Sequence, residues 1–415
     1  MKNLYNDLVF NKSDILIPAK DIDMSKWSVI ACDQYTSNKK YWDNLKNRIG
    51  DSPSTINLIC PEAYTLQSDI DLSGLIHKNM RQYIDDNIFK EYKSSLIYTI
   101  RETSSGLFRS GIVGQIDLEK YDQDISKSEL IKPTEKTDTN RLGTRQKIRE
   151  GALLDLPHTI LFYQDKQGVI NKKLNNDLQD LTSIYNFKTL DTNQKLSGYL
   201  INESLKNEIL KELNENLINH HSPLMVADGN HSLLSAKMVY EEYKKNNPDY
   251  LTSPLRYALV EIENLYDKEI DIKPIHRIIY NIDSEKFINN LKIFIESISR
   301  EKQFNNETIT VCVNDEKCIF SVPKVDNVTA VEIIQRYIDE YLSKHQGALD
   351  YVHESEEVLN IVKHDKNAVG ILFDPIEKDT ISKRISGNQI FGRKTFSIGQ
   401  ATDKRYYVES RKLLN

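Results

Sequence analysis

Leu224-Met225-Val226-Ala227 runs directly into Asp228-Gly229-Asn230-His231-Ser232, and residues Leu233 to Lys244 follow at once with helical spacing. An apolar run of strand length, a tight turn and an amphipathic pattern in succession predict a buried strand feeding a helix. The first N–H groups of a helix have no intrahelical partner, and together with the helix dipole they favour an anion such as phosphate. Gly229 allows close backbone approach, Ser232 or Asn230 offers a cap, and Asp228 and His231 add titratable groups, with Asp228 also a candidate contact for Mg2+. An ordinary capped turn has the same composition, so the stretch by itself leaves both readings open.

Residues 203–218 read as a helix leading into this turn, and Arg256 to Ile262 reads as a buried strand after the Asn246-Asn247-Pro248 breaker. Upstream, Gln146 to Leu154 reads as a helix and His158 to Tyr163 as a strand. Leu96 to Glu102 and Ser110 to Leu118 flank Ser104-Ser105-Gly106 as a hairpin, preceded by helical spacing from Leu75 to Lys93. Downstream, a helix is expected over residues 285–300, a meander over 308–322, an amphipathic helix carrying Val331, Ile334, Ile338 and Leu342, and strands at 368–373 and 405–408. The class is therefore a mixed, multi-domain α+β protein. Three parts are expected: residues 1–128 as an N-terminal mixed domain, 129–283 as the central domain, and 284–415 as a C-terminal α+β domain packing on the centre.

At 415 residues the chain can bury several cores. Its 55 basic and 61 acidic side chains are interspersed without a basic block, which argues against a nucleic-acid partner. No apolar run approaches the roughly 20 residues needed to span a bilayer, and the polar start lacks the core of a signal peptide. Cys32, Cys60, Cys312 and Cys318 have no ligand-like spacing, so reduced thiols are expected rather than a disulfide framework or a zinc site. A cytoplasmic protein is expected, with a small-molecule substrate, no nucleic-acid or membrane partner, and at most a second copy of the chain as a homodimer.

A second region carries candidate chemistry. Glu135 lies among Lys132, Lys136, Arg141, Arg145, Lys147 and Arg149. Arg145 and Arg149 are four residues apart and share a helix face, where they could clamp an anion or pair with Glu135. A carboxylate beside a clamped phosphate can take the proton of an attacking hydroxyl; a solvated charged face would have the same composition. His276 and Arg277, at a strand entry after Pro274, are candidate phosphate contacts. Residues 387–395 (GNQIFGRKT) approach a P-loop pattern, but no buried strand precedes them and no clear helix follows, so that reading is rejected. Lys394, Thr395, Lys404 and Arg405 form a basic cluster that either solvates an edge or reaches the site.

Residues 228–232, followed by Ala236, resemble the Asp-Gly-His-His-Arg motif of a bacterial and archaeal family of unknown function. Thr134-Glu135-Lys136-Thr137 with Arg141, Arg145 and Arg149 is similar to that family's His-Glu-(Arg/Lys)-Thr block. Pro274-Ile275-His276-Arg277, Asp350-Tyr351-Val352-His353 and residues 29–36 (VIACDQYT) agree in order along the chain. Two positions depart: Asn230 stands for the first His and Ser232 for the Arg. If that Arg holds a phosphate, this chain needs another cation.

The turn with a Glu-bearing block upstream is also similar to the ParB/sulfiredoxin-like fold of free serine kinases, and the resemblance implies such a fold for the central part. It implies a phosphotransferase acting on a hydroxy amino acid or its phosphate, serine or phosphoserine foremost. Glu135 would be the base, Asp228 and His231 would assist, and Gly229, Asn230 and Ser232 would form the cradle. Arg141, Arg145, Arg149, His276 and Arg277 would bind phosphate or substrate, with ADP or ATP and Mg2+ as cofactors. Phosphoserine hydrolysis would use the same groups, and a nucleotide- or metabolite-binding regulator without turnover is the alternative that the Asn230 and Ser232 departures support.

Overall fold

The computed structural model describes residues 8–31, 35, 38–65, 72–137, 142–156, 159–219, 221–299, 306–323 and 328–413. The chain divides into two units, one of residues 1–270 with 385–390 and 401–415, the other of residues 271–384 with 391–400. This replaces the expected three-part division. One nine-stranded sheet draws strands from both sides of the expected boundary at residue 128, so no separate core exists there. The last residues return to the first unit instead of completing a C-terminal domain.

The strands of that sheet are β1 (Phe10–Asn11), β2 (Ile97–Glu102), β3 (Phe108–Asp117), β4 (Ile131–Lys132), β5 (Ile160–Tyr163), β6 (Thr182–Lys188), β7 (Lys195–Leu200), β8 (Leu224–Asp228) and β9 (Tyr257–Asn264). Their order is β4-β8-β5-β9-β3-β2-β7-β6, with β1 added on β3. The hairpin β2–β3 pairs Ile97 with Val113 and Glu102 with Phe108, where the Ser-Ser-Gly turn predicts it. β8 pairs in parallel with β4 and antiparallel with β5, and β9 pairs in parallel with β5. Central strands are buried on both faces, so β5 and β8 read as unbroken apolar runs rather than as alternation.

Three helices of this unit bear on the site: α1 (Gly143–Glu150), α2 (Glu203–Asn219) and α3 (Asn230–Asn246). α2 buries Leu205, Ile209, Leu210, Leu213 and Leu217 along one face, each contributing about 1.5–3 kcal/mol by leaving water. The Asn214 amide on the same face accepts from Val9 N at 2.9 Å and donates to Phe10 O at 3.1 Å, fixing β1 to α2. The helical spacing read through Lys93 ends earlier. The helix stops at Asp85, Asn87 takes a left-handed φ of 54°, and Phe89–Ser95 forms a strand against Ser13–Pro18. Pairing with a distant strand overrides the local helical pattern there.

In the second unit, β10 (His276–Tyr280), β11 (Asn306–Val313), β12 (Glu316–Pro323), β13 (Ala348–Val352) and β14 (Val369–Phe373) form an antiparallel sheet in the order β12-β11-β14-β10-β13. Helices α4 (Ser284–Ser299) and α5 (Ala330–Lys344) pack on it through Phe287, Leu291, Ile334 and Ile338. α5 begins with a capping box of Thr329 and Glu332. Residues 387–395 form turns and are followed by the short strand Phe396–Ile398, in keeping with rejection of a P-loop. The strand expected at 405–408 is instead an extended segment with one isolated bridge, Ile30 to Tyr406. No described helix is long and apolar enough to cross a membrane. Cys60, Cys312 and Cys318 form no disulfide with one another; Cys32 lies outside the described residues.

Candidate functional site

Leu224, Met225 and Val226 are fully buried, while Ala227 and Asp228 emerge toward the surface at the end of β8. The register against β5 slips between Val226 and Asp228, where Val226 faces Leu161 and Asp228 faces Ile160. A bulge of this kind re-aims the side chain that follows it. Gly229 then takes φ 84° and ψ 25°, and α3 starts at Asn230. A Cβ on Gly229 would lie 2.8 Å from Thr159 Oγ1 and 2.9 Å from Thr159 Cα, so both conformation and close packing require glycine. The N–H groups of Ser232 and Leu233 are already directed to Gly229 O at 3.1 and 3.0 Å. Neither Ser232 nor Asn230 caps the helix as expected. Gly229 is the N-cap, with no side-chain cap bond.

The Glu135 block arrives beside this turn through sheet pairing. β4 runs parallel to β8 with Ile131 opposite Leu224 and Lys132 opposite Met225. Thr134 Oγ1 donates to Val226 O at 2.6 Å, which continues the contact past the end of the ladder. Glu135, the next residue, is half-buried, so its block lies next to the strand that leads into Asp228. Lys132 is itself buried, donates to Asn388 Oδ1 at 2.6 Å and Ser386 O at 3.2 Å, and has its pKa lowered by burial.

A cation reaches Asp228 from far along the chain. Lys404 Nζ lies 2.7 Å from Asp228 Oδ2, and the Gly229 N–H donates to Asp228 Oδ1 at 2.9 Å. Of the two fates open to the Lys404 and Arg405 cluster, the structure brings Lys404 to the motif and buries Arg405. Arg405 pairs with Glu261, and its other nitrogen lies 2.5 Å from Glu409. Arg101 bridges Glu261 and Glu263 at 3.7 and 3.2 Å, and Arg109 meets Glu263 at 2.7 Å. All six side chains are at most 6 % exposed. Burial alone would raise the Glu261 pKa, yet Arg405, Arg101 and the Thr99 hydroxyl hold it well below the usual carboxylate range. Charged residues inside β2, β3 and β9 are the sequence signal for this network, since Lys, Arg and Glu are seldom buried unless paired.

The remaining candidates separate. Arg141 lies outside the described residues. Arg145 is half-buried on α1, which packs against α3. Arg149 is a correction: it pairs with Asp155, which also accepts from Arg411 Nε at 3.2 Å and Leu259 N at 3.0 Å. Held by Asp155, the Arg149 guanidinium is a structural group rather than an anion clamp. His231 and Ser232 are half-buried on the first turn of α3.

His276 and Arg277 belong to the second unit and are likewise corrected. Arg277 is fully buried, donates to Ile275 O at 2.7 Å, Lys394 O at 2.9 Å and Gln335 Oε1 at 2.7 Å, and stacks 4.5 Å from the Tyr351 ring centroid. His276 Nδ1 accepts from Phe373 N at 3.2 Å; burial, then Arg277 and His353, push its pKa down to about 4. A neutral imidazole and a guanidinium spent on carbonyls are structural groups.

Among the described residues no three His, Cys, Asp or Glu side chains form a metal-holding group, and both Asp228 oxygens already accept hydrogen bonds. Mg2+ in phosphate sites takes one or two carboxylates and draws further ligands from substrate and water. Asp228 is the carboxylate of this turn that such an ion would meet.

A family model described as "Protein of unknown function (DUF1015)" matches residues 16–348, and the chain belongs to that family. No curated protein matches it. Among solved structures it is similar to a conserved hypothetical protein from Pyrococcus furiosus, at 14% identity over 72% of this chain and 94% of that one, with a TM-score of 0.36. It is also similar to a free serine kinase variant in complex with AMP, at 11% identity over 72% and 91% of the two chains and a TM-score of 0.38. A free serine kinase variant in complex with ADP aligns at 11% identity over the same shares with a TM-score of 0.36.

Proposed function

We propose that this protein is a small-molecule phosphotransferase whose acceptor is a hydroxy amino acid, serine foremost, and whose donor is ADP or ATP. The observation that supports the reading is the parallel pairing of β4 with β8 and the Thr134 to Val226 hydrogen bond, which join the strand before Glu135 to the strand before the Asp228–Ser232 turn. Two motif-like blocks about ninety residues apart in sequence then share one end of one sheet, as a common ligand would require.

In the reaction, the Glu135 carboxylate accepts the proton of the substrate hydroxyl as its oxygen attacks the terminal phosphorus. The bond from that phosphorus to the bridging oxygen breaks, giving the phosphorylated amino acid and AMP from ADP, or ADP from ATP. The positive end of the α3 dipole stabilises charge on the transferred phosphoryl oxygens, so catalysis is mainly positioning and electrostatics. Glu135 returns its proton to solvent.

The test is incubation of purified protein with serine plus ADP or ATP, and separately with phosphoserine, with magnesium or manganese supplied. Phosphoserine formation supports transfer in this direction, and phosphate release from phosphoserine alone points to the hydrolase reading. Binding of these ligands without either product favours a regulator. Ser232 in place of the motif Arg is the observation behind that second reading, because a weakened cradle can bind without turning over.

A further inference from the structure

We propose that Lys404, delivered by the C-terminal segment, is the phosphate-neutralising cation of this site, in place of the Arg that position 232 lacks. The inference rests on the phosphotransferase reading and names a residue that this reading does not contain. Lys404 also lies beyond residues 16–348, which the family model matches.

The local chemistry is specific. An anion cradle with Ser232 at the fourth position after Asp228 has backbone dipoles and no permanent positive charge of its own there. Lys404 Nζ sits 2.7 Å from Asp228 Oδ2, at the mouth of that turn, with the two side chains 20 % and 17 % exposed. An ammonium has three donors and binds phosphate as a point charge, so it can hold Asp228 and a phosphate oxygen together. The Asp228 pair aims the lysine. Asn230, at the first helical position, is 6 % exposed, and its Oδ1 has no hydrogen-bond partner among the described residues. A buried acceptor left without a donor is a place for a water or another hydrogen donor beside Gly229, while the Asp228–Lys404 pair is the observation that carries the cation.

The segment is built to hold Lys404 still. On one side, Asp403 accepts from Ser104 N at 2.7 Å and Ser104 Oγ at 3.1 Å. On the other, Arg405 is buried against Glu261 and Glu409, and its carbonyl accepts from Ala31 N at 2.8 Å. Glu261 N in turn donates to Thr159 O at 3.1 Å, and Thr159 is the residue on which Gly229 packs. The same buried framework thus fixes both the lysine and the turn it faces. Losing little side-chain freedom on binding is what makes such a cation effective.

The test compares wild type, Lys404→Gln and Lys404→Arg, each first checked for an unchanged circular dichroism spectrum and melting profile. Gln keeps a donor for Asp228 and removes the charge; Arg restores a cation if Gln or any shorter side chain proves unstable. Binding is measured for ADP against adenosine and for phosphoserine against serine. Lys404→Gln is expected to weaken ADP or phosphoserine roughly tenfold to a hundredfold, the range for a hydrogen bond to a charged group. Adenosine and serine should bind as in wild type, and Lys404→Arg should recover most of the loss. Loss with ADP alone or with phosphoserine alone identifies whose phosphate Lys404 meets. Equal weakening of the phosphorylated and unphosphorylated ligands, or ADP and phosphoserine binding within twofold of wild type, overturns the role of Lys404 alone. Wild-type protein that binds neither ADP, ATP nor phosphoserine overturns this inference together with the proposed function.

Discussion

Thr134 Oγ1 donates to Val226 O at 2.6 Å, joining the residue before Glu135 to the strand that ends at Asp228. The bond is buried and spans 92 residues of sequence. It ties the residue before Glu135 to β8, so the position of this block depends on that strand.

Thr134→Val keeps the shape of the side chain and removes the donor. It should lower stability by about 1–3 kcal/mol, the cost of leaving a buried carbonyl unpaired, and reduce turnover by loosening Glu135. Glu135→Gln should lower turnover by roughly 10²–10⁴-fold with ADP binding nearly intact. A Glu135→Gln enzyme with wild-type kcat in the serine-dependent assay would remove Glu135 as the base.

Gly229→Ala should destabilise the protein by about 1–3 kcal/mol, from the left-handed backbone and from a Cβ pressed against Thr159. Urea unfolding reads this as a lower midpoint with unchanged slope. A variant as stable as wild type would show that the turn relaxes easily and is not a rigid cradle.

Glu261 is the hub between Arg405 and Arg101. Glu261→Ala should cost about 3–5 kcal/mol, because the buried network then holds three guanidiniums against two carboxylates, Glu263 and Glu409. Hydrogen exchange should show the C-terminal segment, with Lys404 and Arg405, opening more often. Full protection of residues 403–409 in that variant would mean that the segment is held by other contacts.

The second unit should weaken in mild acid. Its His276 stays neutral down to about pH 4, because burial and Arg277 disfavour the imidazolium and Nδ1 must accept from Phe373 N. The unfolded chain takes up that proton near pH 6.5. Between those values the unfolded state binds more protons, so stability falls as pH drops through the window and is independent of this group above it. Unfolding midpoints measured from pH 7.5 to 4.5 should converge between wild type and His276→Gln, whose amide oxygen can accept the Phe373 bond without titrating. Parallel pH profiles for the two proteins would assign the acid sensitivity elsewhere.

The local elements were legible because their causes are local. The apolar run 224–227, Gly229 and the helical spacing after it predict strand, turn and helix, and β8 and α3 follow them to within a few residues. The 97–117 hairpin and α5 are equally readable from a turn triplet and an apolar stripe. Where a distant partner competes, local pattern misleads. The helical spacing through Lys93 yields to pairing of Phe89–Ser95 with Ser13–Pro18, and the boundary expected at residue 128 vanishes inside a shared sheet.

By itself, the sequence determined the mixed α and β class, the family-like blocks and the motif turn, since periodicity, glycine conformation and residue chemistry act over a few residues. Only the tertiary structure decided what those blocks meet. Sheet register, which no local spacing encodes, set Ile131 against Leu224 and brought Thr134 to Val226. Burial decided which cations remain near the motif, because a guanidinium removed from water must find carboxylates or carbonyls. That requirement drew Arg149 to Asp155, Arg277 to the carbonyls of its own unit and Arg405 to Glu261, and it left Lys404 beside Asp228.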